Sequence, residues 1–198
     1  MLNIISAPNP VLSEAAKPVV KINGFISKLI KDMEKALLAA KDPIGVGLAA
    51  PQVGESLKIF IAKPTLKSKI QVFINPKIIQ TTKISHLIID SDRVQQLNAS
   101  STESSKGSKL EGCLSLPNIW GKVKRNPTIT LNYQLPTNNY QLIAKTRAFS
   151  GFMATIIQHE MDHLQGILFP KRVLEQKGTL YKSSKNEKNE DEFEEITI

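Results

Sequence analysis

The segment His159-Glu160-Met161-Asp162-His163 constrains this chain more than any other. Phe152, Ile156, His159 and His163 fall at steps of four, three and four, so one face of a helix carries both apolar bulk and two imidazoles. Ser150 stands where an N-cap would, Gly166 where a C′ glycine would, and Pro170 forbids continuation. The rest of the fold must therefore wrap this helix and bury its histidine face. The chain has three histidines, His86, His159 and His163, and two of them lie at ligand spacing inside the apolar stripe. Satisfied core histidines could give the same short pattern by coincidence, but that context favours a metal site. His86, beside a serine-rich stretch, reads as a surface residue.

Two imidazoles at i and i+4 can bind one ion, with Glu160 reaching its open side. Such an ion lowers the pKa of a bound water to about 7, and a neighbouring carboxylate can carry the proton. A catalytic site of this kind needs a third protein ligand. No histidine follows His163, and Glu175 falls at the edge of a polar tail. The third donor is read as Cys113, the only cysteine, in Glu111-Gly112-Cys113-Leu114-Ser115-Leu116-Pro117. A lone cysteine is otherwise a small buried hydrophobe, but its thiolate is a strong ligand for zinc or ferrous iron. With one cysteine no intrachain disulfide can form, which suits a reducing compartment.

Elsewhere, residues from about Asn23 to Lys41 read as an amphipathic helix, with Phe25, Ile26, Leu29, Ile30, Met33, Ala36 and Leu37 at three- and four-residue steps and Asn23 as N-cap. The stretch Gly45 to Gly54 is too rich in glycine for a helix and too apolar for a solvated loop. Leu57–Ala62 and Val72–Ile79 read as strands, Pro76 making the second an edge or bulged strand. Thr128–Tyr133 and Tyr140–Thr146 read as a hairpin turning over 136–139. Residues 91–109 hold six serines in nineteen positions and read as an insertion, flanked by motif residues on both sides.

The size of 198 residues, with 41% hydrophobic and 22% charged, is that of one soluble domain. No apolar run reaches the ~20 residues of a membrane span, and the first residues carry no secretion signal. The net charge of +8 favours anionic partners, although the last twelve residues hold six acids and one lysine. No helix-turn-helix, zinc-finger or RNP-type pattern accompanies it, so neither a membrane nor specific DNA is expected as partner.

Three segments, in order, resemble the three motifs of the peptide deformylase family: Gly45-Val46-Gly47-Leu48-Ala49-Ala50-Pro51-Gln52, Glu111-Gly112-Cys113-Leu114-Ser115, and Gln158-His159-Glu160-Met161-Asp162-His163-Leu164. The resemblance extends from about Pro8 to Arg172. It implies that Cys113, His159 and His163 hold one divalent ion, typically Fe²⁺, with Zn²⁺, Ni²⁺ or Co²⁺ as substitutes. It further implies that Glu160 carries the proton from water to the leaving amine. Gln52, through its side-chain amide, and Leu114, through its backbone N–H, would steady the oxyanion. Gly45, Val46 and Gly47 would lie along the substrate, and Phe152, Thr155 and Ile156 would line the methionine pocket. Arg125 and Asp162 match a supporting ion pair, and Glu111 would accept from a ligating imidazole. Three residues after Pro117, where many relatives carry a basic residue that holds the peptide backbone, this chain has Trp120. The insertion is longer than in typical members, and the tail is acidic where well-known bacterial members carry a basic ribosome-binding helix.

The expectation is thus an α+β domain over residues 1–174, with small, mainly antiparallel sheets packed around a central helix bearing the H-E-x-x-H motif. A charged, flexible tail would follow over 175–198. The expected reaction is metal-dependent hydrolysis of the formyl group from N-formylmethionyl nascent polypeptides, in the cytoplasm or an organelle matrix, with transient ribosome contact. Two other readings compete. A zinc endopeptidase using the same motif would not need Cys113. A degenerate, metal-containing, ribosome-associated member would release no formate.

Overall fold

The computed structural model describes residues 2–41, 43–82, 110–137, 139–186 and 191–197. The serine-rich insertion at 91–109 and His86 lie outside the described residues. Two antiparallel sheets enclose the core. The first has the order β1 (Gly47–Ala49), β2 (Ile59–Ala62), β3 (Gln71–Thr82), β6 (Thr128–Pro136), β7 (Leu142–Ser150). The second runs β4 (Leu110–Cys113), β5 (Leu116–Lys122), β8 (Leu180–Lys185), β9 (Asp191–Ile196). Three α-helices complete the described elements, α1 (Gly24–Ala39), α2 (Gly151–His163) and α3 (Phe169–Glu175), with 3₁₀ turns at Pro10–Ser13 and Ala50–Val53. This is the α+β arrangement of antiparallel sheets around a central helix.

Helix α1 begins where Asn23 accepts from the Ile26 backbone N–H at 2.9 Å, relieving one of the unpaired donors of the first turn. Ile26, Leu29, Ile30, Met33, Ala36 and Leu37 form its buried face, packed with Leu48, Ile59, Ile61 and Ile74 of the first sheet. Phe25 leaves that stripe: in the first turn of the helix it is 53% exposed, while its neighbour Ile26 is buried.

The first sheet's other cluster joins α2. Ala154, Ile156, Ile157 and Leu164 bury against Phe60, Phe73, Ile129, Leu131 and Phe149. Phe60 and Phe73 stack at 4.6 Å, and Phe149 meets Phe73 edge-on at 5.7 Å. Each such side chain contributes roughly 1.5–3 kcal/mol on burial, so this contact fixes the apolar side of α2 firmly. The histidine side then faces β4 of the second sheet.

Three local expectations are refined. Of the two readings of Pro76, the edge strand fails and the bulged strand holds: it lies in β3, which is central, between β2 and β6. The strand tolerates it because the β3–β6 register shifts between Ile74 and Lys77, and pairing with β2 ends at Ile74. Asn75 takes a positive φ of 48° there, and its amide bonds both the N–H and C=O of Val19, at 2.8 and 2.7 Å. Pro170 does more than end a helix: α2 closes at His163, Gly166 turns with φ 68°, and Pro170 sits in the first turn of α3, where no N–H is needed.

The third correction concerns the tail. Residues 180–185 and 191–196 form a hairpin, not a frayed end, and β8 pairs with β5. Leu180 is buried with Phe169 and Val173. The charges that make the segment look disordered are complementary across the two strands: Lys182 faces Glu194, and Lys185 pairs with Asp191 at 2.7 Å. The hairpin of β6 and β7 forms as expected but longer, paired without a break from Thr128↔Ser150 to Pro136↔Leu142.

Candidate metal centre and substrate cleft

Cys113 closes β4, at a register shift between Gly112 and Cys113 where the strand turns into β5. This shift aims the sulfur away from the ladder and toward α2. There, the ligating atoms of Cys113, His159 and His163 all lie within 4.8 Å of one another. Sγ of Cys113 is 3.2 Å from Nε2 of His163, and the two imidazole centroids are 5.0 Å apart. His159 turns Nδ1 to Glu111 Oε2 at 3.1 Å, which leaves Nε2 to ligate.

A thiol and two imidazoles are donors suited to zinc or ferrous iron. Sulfur and nitrogen on a tetrahedral ion stand about 3.5 Å apart at ordinary bond lengths, so the observed separations suit a single cation. The donor set fits one ion. Burial, with the charges of His159 and Arg125, holds His163 well below the usual imidazole range, so its lone pair is available. Burial works against a charged His159 as well, but the Cys113 sulfur and Glu111 carboxylate beside it outweigh that and keep its proton well above the usual range. Burial likewise opposes ionisation of Glu111, yet hydrogen bonds with His159 and Arg125 hold its carboxyl below the ordinary value.

Glu160 is buried, and its Oε2 and Nδ1 of His163 have no hydrogen-bond partner among the described residues. Burial pushes the Glu160 carboxyl up to about 7, with His159 pulling down and Glu111 pushing further up. Gln52 sits on the 3₁₀ turn after β1. Its Oε1 accepts from Ala49 N–H at 2.8 Å, which fixes the amide so that Nε2 points to Ser115 Oγ at 3.2 Å and Cys113 Sγ at 3.5 Å. Ser115, which the sequence reading left without a role, is completely buried and anchors this donor.

Gln52, Cys113, His159 and Glu160 border a cleft of about 690 Å³, with His163 and Ser115 outside its lining. Val46, Gly47, Gln52, Leu114, Glu111 and Cys113 line one part of it, with Phe152, Thr155, Ile156, His159, Glu160 and Arg125. Gly45 does not belong to this lining. It is packed beneath α1, where an added Cβ would meet Leu37 Cδ1 and the Leu37 carbonyl at 2.8 Å, so its glycine serves close packing and not the cleft. Trp120, which the sequence singled out where many relatives carry a basic residue, lines the cleft, and so does Lys124, which was not among the candidates.

Behind the cleft, Arg125 joins β4 to α2. It donates to both Glu111 oxygens at 2.9 and 3.0 Å and to Asp162 Oδ2 at 2.6 Å. Arg172 of α3 completes the network, meeting Asp162 Oδ1 at 2.7 Å and Glu175 at 3.0 Å. Gln158 pins the connection between β5 and β6 by bonding both the N–H and C=O of Asn126, at 3.0 and 2.9 Å. Gln158 was missed as a pin because Asn126 lies 32 residues away, and Arg172 because its partner Asp162, 10 residues back, stands on the far side of the turn between α2 and α3.

Comparison with known proteins agrees with this architecture. The polypeptide deformylase family model matches residues 1–178, ending before β8. A peptide deformylase of Desulforudis audaxviator is 33% identical over 184 residues, 92% of this chain and 97% of that protein. Peptide deformylase 1 of Bacillus cereus is 34% identical over 87% of this chain and 92% of its own. Among solved structures, the Thermotoga maritima peptide deformylase superposes with a TM-score of 0.64 at 30% identity, covering 87% of this chain and 97% of that one. The Synechococcus elongatus enzyme, solved in complex with actinonin, gives 0.65 at 30% identity over 86% of this chain and 78% of that one. The chain belongs to the polypeptide deformylase family, metallohydrolases that use a single metal ion.

Proposed function

We propose that the cleft residues divide the hydrolysis of N-formylmethionyl nascent polypeptides among themselves as follows. Cys113, His159 and His163 would hold one divalent ion, Fe²⁺ by preference, with Zn²⁺, Ni²⁺ or Co²⁺ able to replace it. When bound, the ion supplies Lewis-acid polarisation of the formyl carbonyl and makes water a better nucleophile. Glu160 takes a proton from the attacking water at its carboxylate and delivers it to the leaving amine. The Oε2 atom, without a hydrogen-bond partner among the described residues, supports that role. Gln52 Nε2 and the Leu114 backbone N–H donate to the former carbonyl oxygen as charge builds there.

Val46, Gly47, Phe152, Thr155 and Ile156 line the cleft; the first two would lie along the substrate, and the other three would receive the methionine side chain. Glu111 holds the His159 tautomer, while Arg125 and Asp162 keep β4 and α2 in register. Residues 1–174 would form the catalytic unit. The net charge of +8 supports transient ribosome contact in the cytoplasm. No helix among the described residues is long and apolar enough to cross a membrane.

The observation that carries this reading is one thiol and two imidazoles converging within 4.8 Å beside a buried carboxylate at the wall of a cleft. The test is oxygen-free purification, metal analysis, and formate release from formyl-Met-Ala-Ser. Glu160→Ala is expected to keep about one ion per chain while formate release falls at least ~100-fold. Equal turnover by both proteins removes Glu160 from the mechanism. Cleavage of internal peptide bonds without formate would return the endopeptidase.

A further inference from the structure

We propose that the C-terminal hairpin β8–β9 is a substrate-recognition element, fixing Trp120 as a rigid apolar wall that selects side chains downstream of the formylmethionine. The inference rests on the cleft being the deformylation site. It begins with the position of Trp120 on β5, opposite Gly112 of β4 on one side and Tyr181 of β8 on the other. Its ring lies over Gly112: a Cβ added there would stand 2.8 Å from Cζ3 and 2.9 Å from Cε3. The indole thus covers the backbone immediately before Cys113, and it lines the same cleft as His159 and Glu160.

An indole is held in one orientation most firmly when its N–H finds an acceptor and its ring finds an aromatic partner. The hairpin holds both. Nε1 donates to Ser183 Oγ at 3.0 Å, and the Phe193 ring meets the indole edge-on, at 5.9 Å and 86°. These contacts come from β8 and β9, beyond the 1–178 reach of the family model. An indole offers no cation for a peptide carbonyl. What it offers is a flat apolar face, so the complementary substrate carries a large apolar or aromatic residue after methionine. Trp120 touches the substrate, whereas Ser183 and Phe193 are positioning residues that act through it.

Trp120 is the only tryptophan in the chain, so its emission reports directly on this contact. The metal-loaded full chain would be assayed for formate release on formyl-methioninamide and on formyl-methionyl tripeptides with Phe or Ala at each following position. The Phe-bearing peptides are expected to have the lower KM with similar kcat. Trp120→Ala should reduce that KM ratio about threefold to tenfold, the scale of one aromatic contact, and Trp120→Phe should restore most of it. The Ser183→Ala, Phe193→Ala double variant should reduce the same ratio and shift the tryptophan emission toward that of solvated indole. An unchanged KM ratio in Trp120→Ala overturns the inference. So does a double variant with altered emission but wild-type selectivity. Absence of formate release from formyl-methioninamide by the wild-type chain would instead remove the deformylation reading itself.

Discussion

At Gly47 an added Cβ would collide with Oε1 of Glu160, and would stand 2.8 Å from its Cδ and 2.9 Å from Ile156 Cγ2. The residue is extended and buried in β1, so glycine is there for space and not for an unusual φ. Gly47→Ala therefore has to move the carboxylate, and displacing a reacting group by about 1 Å can cost roughly 100-fold in rate. We expect kcat for formate release to fall by about that factor while the metal content per chain stays at the wild-type value, since the atoms nearest the new methyl group belong to Glu160 and Ile156 and not to either imidazole. An unaltered kcat would show that Glu160 has room to yield. At this scale the sequence was informative where spacing along one helix settles which residues share a face, as with His159 and His163. Cys113 was legible by elimination, being the only thiol. Ser115, Arg172 and the packing role of Gly45 were not legible, because each depends on a contact between separate elements, Ser115 with Gln52, Arg172 with Asp162 and Gly45 with Leu37, that no local pattern encodes.

Between elements, the second sheet and α2 meet through charge more than through apolar surface. Arg125 and Glu111 side chains are each 9% exposed, and Asp162 is 7% exposed, so the arginine bridges two carboxylates away from water. Deleting one member of such a buried set leaves uncompensated charge and costs about 3–5 kcal/mol. Arg125→Ala is expected to lower the urea midpoint by that amount of free energy with little change in slope, and to lower metal occupancy by releasing Glu111 from its position behind His159. A midpoint within 1 kcal/mol of wild type would assign the joint to Arg172 and the apolar contacts instead. Helices were readable at this scale because their 3.6-residue period repeats within each segment, and Asn23 marked the start of α1 correctly. Strand order was not: Pro76 allowed either an edge or a bulge, and only the pairing of β2 and β6 on either side shows it to be a bulge within a central strand.

Taken whole, the molecule clasps α2 between two sheets by different means. The first sheet holds its apolar face through Phe60, Phe73, Ile129 and Phe149. The second reaches its histidine face through Cys113, so an ion in that site would tie β4 to α2 across the interface. The hairpin that widens the second sheet escaped the sequence reading because lysines and acids on separate strands cancel only when the strands are paired. An ion bound by the native state alone adds RT ln(1 + [L]/Kd) to stability, about 2.7 kcal/mol at a hundred times Kd. Removing it with a chelator is therefore expected to lower the unfolding midpoint of the wild-type chain. The same treatment should leave the midpoint of Cys113→Ala almost unmoved, since that variant has already lost the donor from β4. Both midpoints can be followed by the emission of Trp120, the lone tryptophan, which sits beside the cleft. Equal chelator shifts in the two proteins would place the stabilising ion somewhere other than between Cys113 and the two histidines.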